Sequence, residues 1–122
     1  METLLEKAGD VQILHLQGRL DVSATQPFED LVLGLLLKGE RRLLMECAGL
    51  QYVSSSGLGV FLTANKRLAG NGRIVFAALT THVQHVFQLV GFYSTFQICG
   101  TAAEAVHLLS AIAGTASPSS AN

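Results

Sequence analysis

Residues 52–68 read Tyr-Val-Ser-Ser-Ser-Gly-Leu-Gly-Val-Phe-Leu-Thr-Ala-Asn-Lys-Arg-Leu, so that three serines and two glycines precede apolar residues at helical spacing. Ser55 or Ser56 is expected to be the N-cap of this helix, because a serine hydroxyl there accepts a hydrogen bond from a free first-turn amide. A short strand is predicted over residues 42–47, with 48–53 as its exit loop. The serines would then lie where amides and the helix dipole favour an added phosphate. The apolar residues expected on the inner face of the helix are Leu58, Phe61, Leu62, Leu68 and Ala69.

Length and composition indicate one folded domain. The chain has 122 residues, and 49% of them are hydrophobic, which argues against general disorder. The net charge of −1 suggests neither nucleic acid nor an anionic membrane as a partner. Only 14% of the residues are charged, so the surface must carry apolar or small polar groups, which favours a protein-binding face.

The sequence is typical of a soluble cytoplasmic protein. Cys47 and Cys99 lie in apolar contexts without a pairing pattern and are interpreted as small buried residues in a reducing cytosol. The first residues lack the basic and apolar regions of a signal peptide. The longest apolar runs, such as residues 31–37, are too short to span a bilayer, so no membrane insertion is expected. No cofactor is predicted.

Hydrophobic periodicity predicts the element order β β α β α β α β α. This order favours an α/β fold with a mixed, mostly parallel sheet of about five strands and helices packed over it. The first two strands are expected over residues 3–7 and 11–17. The first helix is expected to have Ser23 or Thr25 as its cap and Pro27 in its first turn.

The C-terminal part has its own signals. Thr101 and Glu104 are expected to form a capping box for a helix over residues 102–112. Residues 1–113 are assigned to the domain and residues 114–122, rich in Ser and Ala, to a disordered tail. The aromatic residues expected in the core are Phe76, Phe87, Phe92 and Phe96.

The serine-rich loop resembles the signature loop of the STAS domain, as found in bacterial anti-sigma-factor antagonists. That family commonly has Asp-Ser-Ser/Thr-Gly-Leu-Gly, and residues 53–59 here read Val-Ser-Ser-Ser-Gly-Leu-Gly. Aligned on Gly57, the family's phosphorylated serine is Ser55, while Ser54 replaces the family's Asp. Residues 18–21, Gly-Arg-Leu-Asp, fit the family pattern Gly-x-Leu/Ile-Asp and give a second anchor.

The resemblance implies a STAS fold, with about four helices mainly on one side of the sheet, and a role as an anti-sigma-factor antagonist. Such an antagonist binds an anti-sigma factor while unphosphorylated. The anti-sigma factor is also a serine kinase that phosphorylates the antagonist and ends the complex, and a serine phosphatase resets it. The chain would be a binding module, not an enzyme, with phosphorylation at Ser55 or, as alternatives, Ser56 or Ser54. The expected partner-binding residues are Asp21, Ser23, Ser54, Ser55, Ser56, Gly57, Leu58 and Gly59.

Two other binding roles stay open. STAS domains also serve as constitutive docking subunits of inner-membrane lipid-transport ATPase complexes, and as scaffold components of stress-sensing assemblies. The replacement of the family's Asp by Ser54 keeps both roles open. The sequence also leaves open which sigma factor or pathway is controlled.

Catalytic and metal sites find little support in the sequence. Only half of the serine hydrolase motif Gly-x-Ser-x-Gly surrounds Ser55, because Val53 stands where the first glycine would be. The glycines of residues 57–59 do not continue into a dinucleotide or Walker motif. His82 and His85 could share a helix face, but no further ligands lie nearby, and they are interpreted as solvated.

Overall fold

The chain folds into one five-stranded sheet with helices on both faces. The computed structural model describes the backbone of residues 1–116 and the side chains of residues 1–111. The strands are β1 (Glu2–Ala8), β2 (Val11–Leu20), β3 (Arg42–Val53), β4 (Arg73–Ala77) and β5 (Gln97–Cys99). The helices are α1 (Val22–Leu37), α2 (Ser55–Leu68), α3 (Thr81–Leu89), α4 (Phe92–Thr95) and α5 (Ala102–Ala116).

The strands lie in the sheet in chain order, from β1 at one edge to β5 at the other. β1 is antiparallel to β2, and the other three neighbouring pairs are parallel. Each parallel connection advances by one strand in the same direction, so crossovers of one handedness place their helices on one face. The predicted α/β fold with a mixed, mostly parallel sheet of five strands is confirmed.

Side-chain alternation along the strands divides the core into two layers. The larger layer lies between the sheet and α1–α4. Phe61 lies at its centre, with its ring centroid 5.7 Å from that of Phe28 and 4.8 Å from that of Phe76. The smaller layer lies under α5, which packs Leu109 on Leu44 and Val75. The helices therefore lie mainly on one side, as the resemblance implies. The predicted aromatic core residues Phe76, Phe87, Phe92 and Phe96 are all buried.

β3 is longer than predicted and has one more residue than β2 at each of two β-bulges. Residues 48–53, expected as an exit loop, continue the strand to Val53. Each bulge shifts the in–out alternation of side chains by one residue, so two bulges restore the alternation found before them. Val53 therefore faces the same core layer as Met45. The register pairs on either side of the bulges are His15–Glu46 and Gln17–Gly49, then Gly18–Leu50 and Arg19–Tyr52.

The first helix begins earlier than predicted. Its N-cap is Asp21, not Ser23 or Thr25, and Pro27 lies inside the helix beyond the first turn. The missing amide of Pro27 would have bonded to the carbonyl of Ser23, and Ser23 is exposed, so water can satisfy that carbonyl.

The inner face of α2 differs in part from the prediction. Leu62 is 46% exposed, and Ala69 is the C-cap, with a left-handed φ of 48°. The buried residues of α2 include Gly57, Phe61 and Ala64, which are three or four residues apart and therefore lie on one side of the helix. This side faces the sheet.

The C-terminal helix is capped as predicted. The Glu104 amide donates to Thr101 Oγ1 at 3.1 Å, and Glu104 Oε1 accepts from the Thr101 amide at 3.1 Å. The helix extends to Ala116, and the remainder of the predicted tail, residues 117–122, lies outside the described residues. The short helix α4 has no counterpart in the predicted element order.

Candidate functional site

Helix α2 begins directly at the end of β3, with Ser54 as its N-cap. The Ser54 hydroxyl accepts a hydrogen bond from the Gly57 amide at 3.0 Å. The Ser54 amide donates to the Leu20 carbonyl at 2.8 Å and so joins the ends of β2 and β3. The prediction that Ser55 or Ser56 is the cap was wrong, because the strand continues through Val53 and leaves Ser54 as the residue between strand and helix.

Asp21 occupies the matching position at the start of α1. Its Oδ1 accepts from the Ser23 hydroxyl at 2.8 Å and from the Ala24 amide at 3.0 Å. The hydrogen bond from Ser23 and then that from Ala24 lower the pKa of the Asp21 carboxyl, so the cap is ionised at neutral pH. The structure thus gives Asp21 a capping role beside the serine loop.

A chain of hydroxyl groups connects the two helix starts. Thr25 Oγ1 lies 2.8 Å from Ser56 Oγ, and Ser56 Oγ lies 3.1 Å from Ser54 Oγ. Thr25 donates its single hydroxyl hydrogen to the Asp21 carbonyl at 3.0 Å. Ser56 must therefore donate to Thr25, and Ser54 to Ser56, while Ser54 accepts from the Gly57 amide. The hydroxyl hydrogens of Ser54 and Ser56 are both used in this way.

Ser55 differs from its two neighbours. It is the first residue of α2, it is exposed, and its hydroxyl makes no hydrogen bond among the described residues. The first turn of α2 contains no acidic residue, while Lys66 and Arg67 lie in its last turn. The positive end of the helix dipole is therefore not offset by a carboxylate within the first turn.

Some of the other predicted site residues are buried beneath the loop, and the rest are exposed or partly exposed on the surface. Gly57 packs against β2, since a Cβ there would lie 2.7 Å from Leu20 Cγ. Ser54 is 5% exposed and Leu58 is 8% exposed, so they support the loop from below. The predicted site residues on the surface are Ser23, Ser55 and Ser56, with Asp21 and Gly59 partly exposed.

An aromatic and basic cluster near the ends of β2 and β3 was not predicted. The Arg19 guanidinium carbon lies 4.3 Å from the centroid of the Tyr52 ring. The His82 ring stacks with Tyr52 at 6.3 Å between centroids and 15° between planes. His82 and His85 are exposed, and no group of three or more potential ligands among the described residues could hold a metal ion. The signal for the cluster was tertiary, because its three members come from β2, β3 and α3.

His15 lies on the sheet face that carries α5, between two carboxylates. Its Nδ1 is 2.9 Å from Glu46 Oε1 and its Nε2 is 2.8 Å from Glu6 Oε1. The hydrogen bond with Glu46 and then that with Glu6 raise the pKa of His15. When His15 is protonated, its two ring N–H groups can donate to both carboxylates and so link the edge strand β1 to the central strand β3.

Neither cysteine has the low pKa of a reactive thiol. Cys47 is fully buried, and burial raises the pKa of its thiol far above the usual range. Burial and then the charge of Glu104 raise the pKa of Cys99, which is partly exposed. The interpretation of Cys47 as a buried hydrophobic residue is confirmed, and Cys99 is only partly buried.

Known proteins similar to this chain show its family. The family model described as Mlab, STAS domain matches residues 3–97. BtrV of Bordetella bronchiseptica, named as an anti-sigma factor antagonist, is 32% identical over 102 residues, which cover 83% of this chain and 88% of BtrV. The chain therefore belongs to the STAS-domain family of anti-sigma-factor antagonists.

Solved structures show the same fold. The crystal structure of a Thermotoga maritima protein described as an anti-sigma factor antagonist is similar with a TM-score of 0.84 at 21% identity, over 88% of this chain and 93% of that one. The phosphorylated form of the Bacillus cell fate determinant SpoIIAA has a TM-score of 0.70 at 23% identity, over 87% of this chain and 97% of that one.

No helix among residues 1–116 is long and apolar enough to cross a membrane.

Proposed function

We propose that this chain works by partner switching. It binds an anti-sigma factor with serine kinase activity while Ser55 is unphosphorylated, and phosphorylation of Ser55 ends the complex. A serine phosphatase then restores the binding form. In this role the chain is a cytoplasmic binding module and kinase substrate, with no catalytic activity of its own.

The hydrogen bonds of the three serines carry this proposal. Ser54 is buried, and its hydroxyl caps the helix. The hydroxyl of Ser56 is bonded to Thr25 and Ser54. Ser55 is exposed, and its hydroxyl has no hydrogen bond to lose within the described part of the chain, so a kinase can reach it without breaking the loop.

Phosphorylation at Ser55 would act locally. A phosphate adds a charge of about −1.5 to −2, which the positive end of α2 can accommodate without refolding of the domain. In an interface the same group would be desolvated against the partner, at a cost of several kcal/mol if unpaired. Since each 1.4 kcal/mol is about tenfold in affinity, a loss of roughly two to three decades is expected.

Capture of partners by charge variants tests the proposal. Ser55→Ala and Ser55→Asp proteins are used as baits in native lysate, with Ser110→Asp as a control that adds the same charge on exposed α5. We expect Ser55→Ala and Ser110→Asp to capture an ATP-binding, kinase-like protein and Ser55→Asp to capture little. Equal capture by the two Ser55 variants would refute the switch.

Two further measurements complete the test. Incubation with the captured protein and ATP should add one phosphate, which Ser55→Ala abolishes and Ser56→Ala does not. The thermal midpoint of Ser55→Asp should stay within a few degrees of the wild type or rise, because an acidic residue in the first turn favours the helix by about 0.3–1 kcal/mol. Unfolding of Ser55→Asp would show that lost binding is not a local effect.

A constitutive docking module is the second candidate, as a subunit of a lipid-transport ATPase complex or of a stress-sensing scaffold. Two observations favour it: Ser54 stands where the family commonly has Asp, and the matching family model is described as Mlab, STAS domain, with no antagonist named. In this role both Ser55 variants would capture the same partner equally, such as a transport ATPase subunit or a large assembly.

A further inference from the structure

We propose that Arg19 and Tyr52 form a second contact surface at the ends of β2 and β3, which binds a carboxylate from an acidic segment of the protein partner. We call this surface, with the neighbouring His82, the Arg19 ledge. The ledge itself is inferred from the contacts among these side chains, whereas the identity of its partner rests on the proposed function.

The backbone holds Arg19 in place. The second β-bulge lies between Gly18 and Arg19, where β3 has the extra residue Gln51. Bulges commonly redirect a side chain, and this one brings Arg19 opposite Tyr52. Gly18 has a φ of 100°, a conformation that favours glycine. The guanidinium then packs over the Tyr52 ring at 4.3 Å.

The guanidinium is exposed and forms no salt bridge among the described residues. Asp21 lies two residues away along the chain, and its Oδ1 is bonded to Ser23 and Ala24. The hydrogen bond from Ser23 is the largest cause of the lowered pKa of Asp21 and the charge of Arg19 the smallest, so Asp21 does not engage the N–H donors of the guanidinium. Contact with Tyr52 pre-orients the planar guanidinium, which leaves its N–H donors for a bidentate carboxylate. A carboxylate complements this charge, whereas a second basic group would be repelled.

The ledge lies at the same end of β2 and β3 as Ser55. Arg19 and Tyr52 are the strand neighbours of Leu20 and Val53, which face the α1–α4 layer, so the ledge faces the other side of the sheet and a partner would contact both across the strand ends. Tyr52 is three residues from Ser55, so their Cα atoms are at most about 11 Å apart. The hydrogen bond from the Ser54 amide to the Leu20 carbonyl joins the two strand ends that carry Arg19 and Tyr52. Arginine and tyrosine are also enriched among the residues that dominate protein interfaces.

A peptide titration tests the ledge without any partner. The probe is hexaglutamate, added to ¹⁵N-labelled protein at constant ionic strength, and the signal is the Nε–H resonance of each arginine. We expect a saturable shift of the Arg19 resonance larger than those of the exposed Arg67 and Arg73, and a smaller Arg19 shift in Tyr52→Leu. Equal shifts at all three arginines, or the same response to inorganic phosphate, would show only general anion binding and refute the proposal.

A second experiment measures affinity for the kinase-like protein captured by Ser55→Ala. In that background Arg19→Gln should weaken binding about 10- to 100-fold, and Arg19→Lys should recover little of it because the bidentate geometry is lost. Arg67→Gln, a matched change at the far end of α2, should have no effect.

The two proposals fail in different ways. If Ser55→Asp blocks capture but Arg19→Gln leaves affinity unchanged, the switch stands and the ledge is refuted. If neither Ser55 variant captures a kinase-like protein, the proposed function fails and the peptide titration alone decides the ledge. Thermal midpoints of the Arg19 variants equal to the wild type would exclude unfolding as the cause.

Discussion

The two glycines of α2 should respond in opposite directions to the same substitution. A Cβ on Gly57 would lie 2.7 Å from Leu20 Cγ and 2.9 Å from Leu20 Cδ2. Leu20 is fully buried, so it has no room to move away. A Cβ on Gly59 would meet nothing within 4 Å. Gly57→Ala is therefore expected to destabilise the domain and Gly59→Ala to stabilise it.

The magnitudes follow from packing and helix propensity. Overpacking a core costs about 1–3 kcal/mol, and the two contacts below 3.0 Å place Gly57→Ala in the upper half of that range. Alanine recovers up to about 1 kcal/mol of helix propensity, which leaves a net loss of about 1–2 kcal/mol. Gly59→Ala should gain about 0.5–1 kcal/mol. For a domain of this size, the two variants should differ in thermal midpoint by roughly 6–15 °C.

Urea and thermal unfolding followed by circular dichroism measure both variants. A wild-type m-value would show that the change lies in stability and not in the denatured state. In a Leu20→Ala background the two contacts below 3.0 Å are removed and the 3.1 Å contact with Val53 Cγ2 remains, so Gly57→Ala should cost much less than in the wild type. A Gly57→Ala protein as stable as the wild type, or a loss of stability in Gly59→Ala, would refute the packing argument.

Three further predictions concern the N-cap Ser54, the partly exposed His15 and the two thiols. Ser54→Ala should lower the free energy of unfolding by about 1 kcal/mol, because the Gly57 amide loses its acceptor, while Ser54→Asp keeps the cap; urea unfolding that shows no loss for Ser54→Ala would contradict this. The folded-state pKa of His15 lies above its ordinary value of 6.5, so its pairing stabilises the fold fully below about pH 6.5 and is lost as the pH rises through the folded-state pKa. The difference in thermal midpoint between wild type and His15→Gln should therefore shrink above pH 6.5, and a constant difference would count against it. Iodoacetamide should label Cys99 slowly and Cys47 only after unfolding, and mass spectrometry showing equal labelling of the native protein would be inconsistent with the burial of Cys47.

The element order could be predicted because its signals are local. The capping box of Thr101 and Glu104 depends on residues three apart, and the structure shows both of its hydrogen bonds. The length of β3 could not be predicted in this way. Residues 48–51, Ala-Gly-Leu-Gln, break the alternation of a strand and read as a loop. Only their pairing with β2 through two bulges makes them part of the sheet.

The choice among the three serines also depended on tertiary structure. The end of β3 determines which serine caps α2. The bulged strand ends at Val53, so the next residue, Ser54, is the N-cap. The hydroxyl of Ser56 is bonded to Thr25, 31 residues away in sequence. No local pattern around the loop indicates that contact. The sequence alone therefore left Ser54, Ser55 and Ser56 as candidate phosphorylation sites.

The departure at Ser54 changes the charge of the loop more than its geometry. An aspartate cap would also accept from the Gly57 amide, but it would have no hydroxyl hydrogen to pass to Ser56. Ser54 supplies that hydrogen, so the hydroxyl chain runs unbroken to Thr25 and the Asp21 carbonyl. A neutral cap also leaves the positive end of the α2 dipole without an adjacent carboxylate. The replacement of the family's Asp therefore removes a negative charge from beside Ser55, where a phosphate would be added.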